Sequence, residues 1–284
     1  VGSQALQNST TAEEVTAIGC GALKANTTGG SNTALGAAAM LKNTEGVGNT
    51  GVAIITLCNN TTGDYNTAVG YAALRLNTTA DNNTAVGRSA LEANTTGHSN
   101  TAVGTCSSKA TTTAAGNTAV GFKSLFAATT GGDNTAVGEL ALAAMTDATE
   151  NVAVGRCALA GNTTSGGNTA VGFRALTTQV AGGAANTAVG HNALTANSTG
   201  DCNTAVGHAA SDSNTTGSSN TSVGKNALFT NLGGDQNVAV GTDAMLSNTT
   251  GESNVGIGKN ALCLNTTASA NTAVGTYAVR DTTT

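Results

Sequence analysis

Residues of matching chemistry recur 17 positions apart in this sequence. His191 and His208 are one such pair, and Asp64 and Asp81 are another. If that spacing sets side chains side by side, two imidazoles could share a metal ion, because neutral imidazole suits zinc, copper and nickel. His191 and His208 are therefore the candidate metal ligands. Their position is filled elsewhere by Tyr71, Arg88, Phe122 and Lys225, the mixture of an exposed, variable column. Two carboxylates could likewise face calcium, which takes oxygen ligands, but the G-G-x-G-x-D pattern of calcium-binding β-rolls is absent. No cofactor is expected.

Ten asparagines could carry carbohydrate. Asn8, Asn26, Asn60, Asn77, Asn94, Asn162, Asn197, Asn214, Asn248 and Asn265 each have Ser or Thr two residues later, the acceptor pattern for N-glycosylation. All ten read as one column of the repeat described next. Asparagine in such a column can instead turn the chain and hydrogen-bond along a ladder, and both readings stand open here. Six cysteines are spread too widely for a disulfide framework. No two fall in the same or neighbouring repeats. Repeats two apart would sit about 9.6 Å from each other, beyond the Cα separation of about 7 Å that a bridge spans. Free thiols or bridges between chains remain. There is no G-x-S-x-G, no H-E-x-x-H and no phosphate-binding loop, and the three histidines sit where other repeats hold other residue types. No enzyme activity is expected.

The recurrence comes from the repeat N-T-A-V-G-x-x-A-L-x-x-N-T-T-G-x-x, whose positions are numbered here as slots 1 to 17. The slot-5 residues run Gly2, Gly19, Gly36, Ala53, Gly70 and so on to Gly275. Only the step from Gly172 to Gly190 is 18 residues, a one-residue insertion. Composition follows the same slots. The chain has 284 residues, 38 glycines, 51 threonines and 32 asparagines, no proline, no tryptophan and seven aromatics. Such a bias resembles disorder, yet disorder does not require fixed apolar columns at slots 4 and 9. Seventeen residues are too few for two helices, and Gly, Asn and Thr disfavour helix. The net charge of −5 with scattered acids argues against nucleic acid. No apolar run is long enough for a membrane helix, and no signal-peptide pattern is visible.

The expected fold class is all-β: a parallel β-solenoid or β-roll, one coil per repeat, about 17 coils, over residues 1–284 as a single repeat domain. Thr-Ala-Val should form one short strand and the segment around slots 8 and 9 a second. Val at slot 4 and Leu at slot 9 are expected to face inward. They give core columns that include Val69, Val86, Val103, Val120, Leu74, Leu91, Leu125 and Leu142. Each such residue contributes roughly 1.5–3 kcal/mol when buried. Coils stacked about 4.8 Å apart would make a rod of about 80 Å. Proline is excluded because each coil donates hydrogen bonds to the next. On this reading Ala at slot 3 and Gly at slot 5 form a smooth apolar stripe outside, which self-association would cover.

The repeat N-T-A-V-G-x-x-A-L-x-x-N-T-T-G resembles the arrays of bacterial and phage surface fibres that often precede an endosialidase-type chaperone domain. It is also similar to the S-V-A-I-G head repeats of trimeric autotransporter adhesins, although those repeats are shorter. The resemblance covers essentially the whole chain. It implies a homotrimeric, left-handed parallel β-roll on a cell or virion surface, used as a shaft or adhesive head, with a host receptor or surface glycan as partner. The ends fall within a repeat, so the chain reads as a segment of a longer fibre or as a subunit that stacks end to end into a filament. The alternative is a ligand-binding solenoid that presents Thr and Asn columns, as a glycosylated filament or an ice-binding surface.

Overall fold

The computed structural model describes residues 2–179 and 182–280. The protein is an all-β parallel solenoid of about 15 turns with one three-residue strand per turn. It divides into two compact units, Val1–Leu140 and Ala141–Thr284. The first carries β1 (Thr16–Ile18) to β8 (Thr135–Val137), and the second β9 (Val152–Val154) to β16 (Thr272–Val274). Within each unit the strands lie in chain order, all parallel and in register. Thr67, Ala68 and Val69 sit opposite Thr84, Ala85 and Val86. The inserted residue leaves this register intact, since Thr169 pairs with Thr187, 18 positions on.

The strand faces the other way from the expectation. Ala68, Ala85, Ala102 and Ala119, all at slot 3, are fully buried. Val86 and Val103 are 36 % exposed, and Val69 and Val120 are half-buried on the same outer face. The four valines are therefore not core residues. The reason is thickness. Slot 3 lies directly against slots 8 and 9: a β-carbon added at Gly51 would come within 3.0 Å of Thr56 Oγ1 and 3.1 Å of Met40 Cε. A methyl group is the largest side chain this gap holds beside leucine. Leu74, Leu91, Leu125 and Leu142 are fully buried, so the leucine column is in the core.

The second strand is replaced by a left-handed zigzag. Slots 7, 9 and 17 take positive φ in coil after coil, as at Ala72 (58°), Leu74 (49°) and Asn82 (59°). An L-residue in this conformation costs roughly 1–2 kcal/mol. The return is that peptide groups swing parallel to the solenoid axis. The Leu74 N–H donates to Ala90 O at 3.0 Å in the next coil, and the Ala72 N–H to Ile54 O at 3.2 Å in the preceding one. The missing proline is explained at these donors. Slot 5 needs glycine for a second reason. At Gly70 φ is 131°, and a β-carbon there would lie 2.6 Å from Gly87 O in the next coil.

Candidate functional site

The ten candidate glycosylation asparagines divide sharply. Asn26, Asn60, Asn77, Asn94, Asn162, Asn197, Asn214, Asn248 and Asn265 are at most 1 % exposed. Each amide points into the coil. The Asn77 Nδ2 group donates to Asn60 Oδ1 at 2.8 Å and to Ala80 O at 3.0 Å, and Asn94 Nδ2 donates to Asn77 Oδ1 at 2.8 Å. This is the ladder reading, and a folded coil leaves no room for a glycan on these nitrogens. Asn43 and Asn231 belong to the same ladder; a search for glycosylation sequons passes over them because neither is followed by Ser or Thr at the second position. Asn8 is exposed and sits one slot earlier. Its N–H donates to Lys24 O as that of Ala25 donates to Leu41 O, so Asn8 matches Ala25 and Ser9 occupies the asparagine slot. Asn8 is thus outside the column assigned to it.

A second ladder runs at slot 1. The backbone N–H of Asn83 donates to Asn66 Oδ1 at 3.0 Å, and its Nδ2 to Gly97 O at 2.9 Å across the corner of its own coil. Its signal in the sequence is the near-invariance of Asn at that slot, which turn chemistry alone does not demand. Threonines at slot 13 form a third series, with Thr61 Oγ1 donating to Thr78 O at 3.0 Å. Buried amides cost several kcal/mol unless bonded, and these ladders bond them coil by coil.

His191 and His208 do stack. Their ring centroids lie 5.1 Å apart with planes 3° from parallel, and Phe173 stacks on His191 at 5.1 Å, with the Arg156 guanidinium 5.8 Å from the Phe173 centroid. An imidazole lone pair lies in the ring plane. One ion cannot lie in the planes of two stacked, near-parallel rings at once, so this arrangement presents its nitrogens separately and does not form a shared metal site. Among the described residues no cluster of three or more metal-binding side chains is present. Asp64 and Asp81 also follow one another, but each carboxylate accepts a backbone N–H of the preceding coil, from Val47 and from Asp64, both at 2.7 Å.

The six cysteines are free thiols. Burial pushes the Cys58 thiol up from its ordinary value, opposed in part by Lys42 and Arg75. Burial, reinforced by Asp243 and opposed by Arg280, does the same at Cys263. An apolar notch of about 310 Å³ is lined by Phe229, Leu246, Asn226, Thr230 and Ser247. It has no titratable lining group and therefore no acid–base chemistry.

The remaining feature is the outer face of the strands. Slots 2 and 4 put Thr, or Val at residues 152, 238 and 255, beside Val, Ile or Leu along each unit, with no charged residue at either slot. Ile18 is 46 % exposed, Leu35 45 %, Val206 37 % and Ile257 39 %. Among the described residues no helix is long and apolar enough to cross a membrane. No family model and no curated protein matches the chain.

Proposed function

We propose that this chain is a structural or adhesive subunit of an extracellular fibre or filament, a shaft or head of the kind found on cell and virion surfaces, which self-associates as a homotrimer or end to end. The observation that carries the reading is the uncharged Thr/Val face, repeated strand by strand on a solenoid whose interior is filled by its own side chains. A periodic apolar face on an acidic protein is the kind of surface a partner covers, and a second array of the same period matches it in register. The outer stripe expected from Ala and Gly does not form, because the slot-3 alanines are buried; slots 2 and 4 make the outer face instead. Weak contacts repeated along such an array add up through multivalency, which suits adhesion to a receptor or surface glycan. Negative-stain electron microscopy of the purified chain tests this. Discrete elongated multimers or filaments are expected, and monodisperse monomers at micromolar concentration would sink the proposal.

One observation favours the second reading, a ligand-binding surface. The slot-2 threonines are partly exposed and evenly spaced on a pleated face. Ice is the ligand such an array would suit, and thermal hysteresis in a purified sample is the measurement that decides.

A further inference from the structure

Charge is sorted around the coil. All eleven lysines and arginines fall in slots 6–11, and eleven of the sixteen acids fall in slots 14–17. The sorting holds in each unit by itself. In the first, Lys24, Lys42, Arg75, Arg88, Lys109 and Lys123 are on the basic side, and Glu13, Glu14, Glu45, Asp64, Asp81 and Asp133 are on the acidic side. In the second unit all five cations and five of the acids follow the same rule. No charged side chain among the described residues is buried. Slots 16 and 17 precede the strand across the slot-1 asparagine, and slots 6 and 7 follow it across the slot-5 glycine. The strand, about 10 Å long, therefore lies between an acidic and a basic edge, with nine of the acids at slots 16 and 17 on one side and six of the cations, Arg88, Lys123, Arg156, Arg174, Lys225 and Lys259, on the other; the remaining five cations stand further along the coil at slots 10 and 11. Two of the exceptions have local partners, a pair of cations for Glu92 and a neutral amide for Asp243. Glu92 lies between Arg75 at 3.0 Å and Lys109 at 3.6 Å, and Asp243 accepts from Asn226 Nδ2 at 3.0 Å.

We infer that these edges are the two halves of one interface, and that a second copy of this chain docks laterally with its acidic edge against the basic edge of the first. The inference rests on the fibre reading and adds a lateral contact to the strand-face contact of that reading. Like charges on neighbouring coils, such as Asp64 and Asp81, repel, and the edge of another copy, with the same coil period of about 4.8 Å, brings opposite charges alongside them. Neither edge is complementary to itself. The edge-to-edge contact is therefore heterologous: an open assembly keeps one free edge of each sign in all, and it either closes into a ring or extends sideways. A polyanionic ligand would engage the basic edge alone and leave the acidic edge without a role.

The test is sedimentation velocity on the full chain at low salt and at about 1 M NaCl, where the screening length falls to about 3 Å. Two triple variants accompany it. Arg174→Glu, Lys225→Glu and Lys259→Glu reverse the basic edge of the second unit. Asp147→Lys, Glu150→Lys and Glu252→Lys reverse its acidic edge. Circular dichroism confirms that each still folds. The wild type is expected to associate at low salt and dissociate at high salt. Each variant alone should associate about tenfold more weakly or worse, and an equimolar mixture of the two should recover association. Assembly indifferent to salt and to both reversals would overturn the edge contact and leave the fibre reading standing. A wild type that stays monomeric throughout would overturn both. Loss in the basic-edge variant alone would point to a bound polyanion and also overturn the proposal. If a variant fails to fold, the salt dependence of the wild type still decides.

Discussion

Met245 occupies the space that a side chain at residue 256 would need, since a β-carbon added to Gly256 would lie 2.9 Å from Met245 Cγ. The relation recurs eleven residues apart in other coils. Met40 faces Gly51, and Ser211 Oγ lies 2.8 Å from Ser222 Oγ as a buried hydrogen-bonded pair. Elsewhere the two positions are Leu and Ala, except that Ser108 precedes Ala119. Slot 9 of one coil and slot 3 of the next are thus chosen together.

Gly256→Ala alone is expected to destabilise the protein by about 1–3 kcal/mol through overpacking. Adding Met245→Leu, which restores the common pair, should recover most of that loss. Urea denaturation of both single variants and the double variant measures the coupling. Simple additivity of the two single effects would refute the pairing.

Ala53 stands where other coils have glycine, and its φ is 117°. A non-glycine residue in so sparse a region costs about 1–3 kcal/mol. Ala53→Gly should raise the melting temperature, whereas Gly70→Ala should lower it, because the new β-carbon meets Gly87 O. Shifts of the same sign for both variants would contradict this account.

The asparagine ladder breaks after Asn94, whose buried Oδ1 has no donor because Thr111 fills the next slot. Thr111→Asn supplies one and should stabilise by about 1 kcal/mol. Asn77→Ala removes the donor to Asn60 Oδ1 and Ala80 O and the acceptor for Asn94 Nδ2. It should cost about 2–3 kcal/mol or more. Chemical denaturation with both variants is the check, and a neutral Asn77→Ala would count against the ladder as a stabilising element.

Burial raises the Cys58 thiol above its unfolded value. The neutral form is therefore favoured in the folded state. Its contribution to stability is present below the unfolded pKa and is lost as pH rises through the folded one. Alkylation of Cys58, followed by peptide mass spectrometry, should reach half its maximal rate at a higher pH in the native protein than in urea. Coincident profiles would show that the environment of the thiol does not act on it.

Much of the fold was legible in the sequence because the period is strict: one coil per repeat, one parallel strand at Thr-Ala-Val, leucine in the core. The strand's facing was not. A period of two fits Thr67 and Val69 inside as well as Ala68 inside, and hydrophobicity favours the wrong choice. Gly51 beside Met40 and Ser222 beside Ser211 held the answer, as compensating exceptions to the consensus. The left-handed zigzag was hidden because leucine at φ near 50° runs against intrinsic preference and exists only through coil-to-coil bonding. The asparagines were found, but the sequon pattern drew attention to Asn8 and away from Asn43 and Asn231. Charge sorting is visible once the slots are aligned, yet a net charge of −5 summed over the chain conceals it.

Translation by one coil maps nearly every buried amide, leucine and carbonyl onto its successor, so each unit behaves as a crystal in one dimension. Its defects can be named. Ser108 replaces a core leucine, and its hydroxyl, like that of Thr111 in the same coil, has no hydrogen-bond partner. Crystals melt first at their faults. Thermal disruption of the first unit should therefore nucleate around residues 100–116, with the coils on the N-terminal side, whose leucine and asparagine columns are better filled, holding on as a template against which the chain can recrystallise.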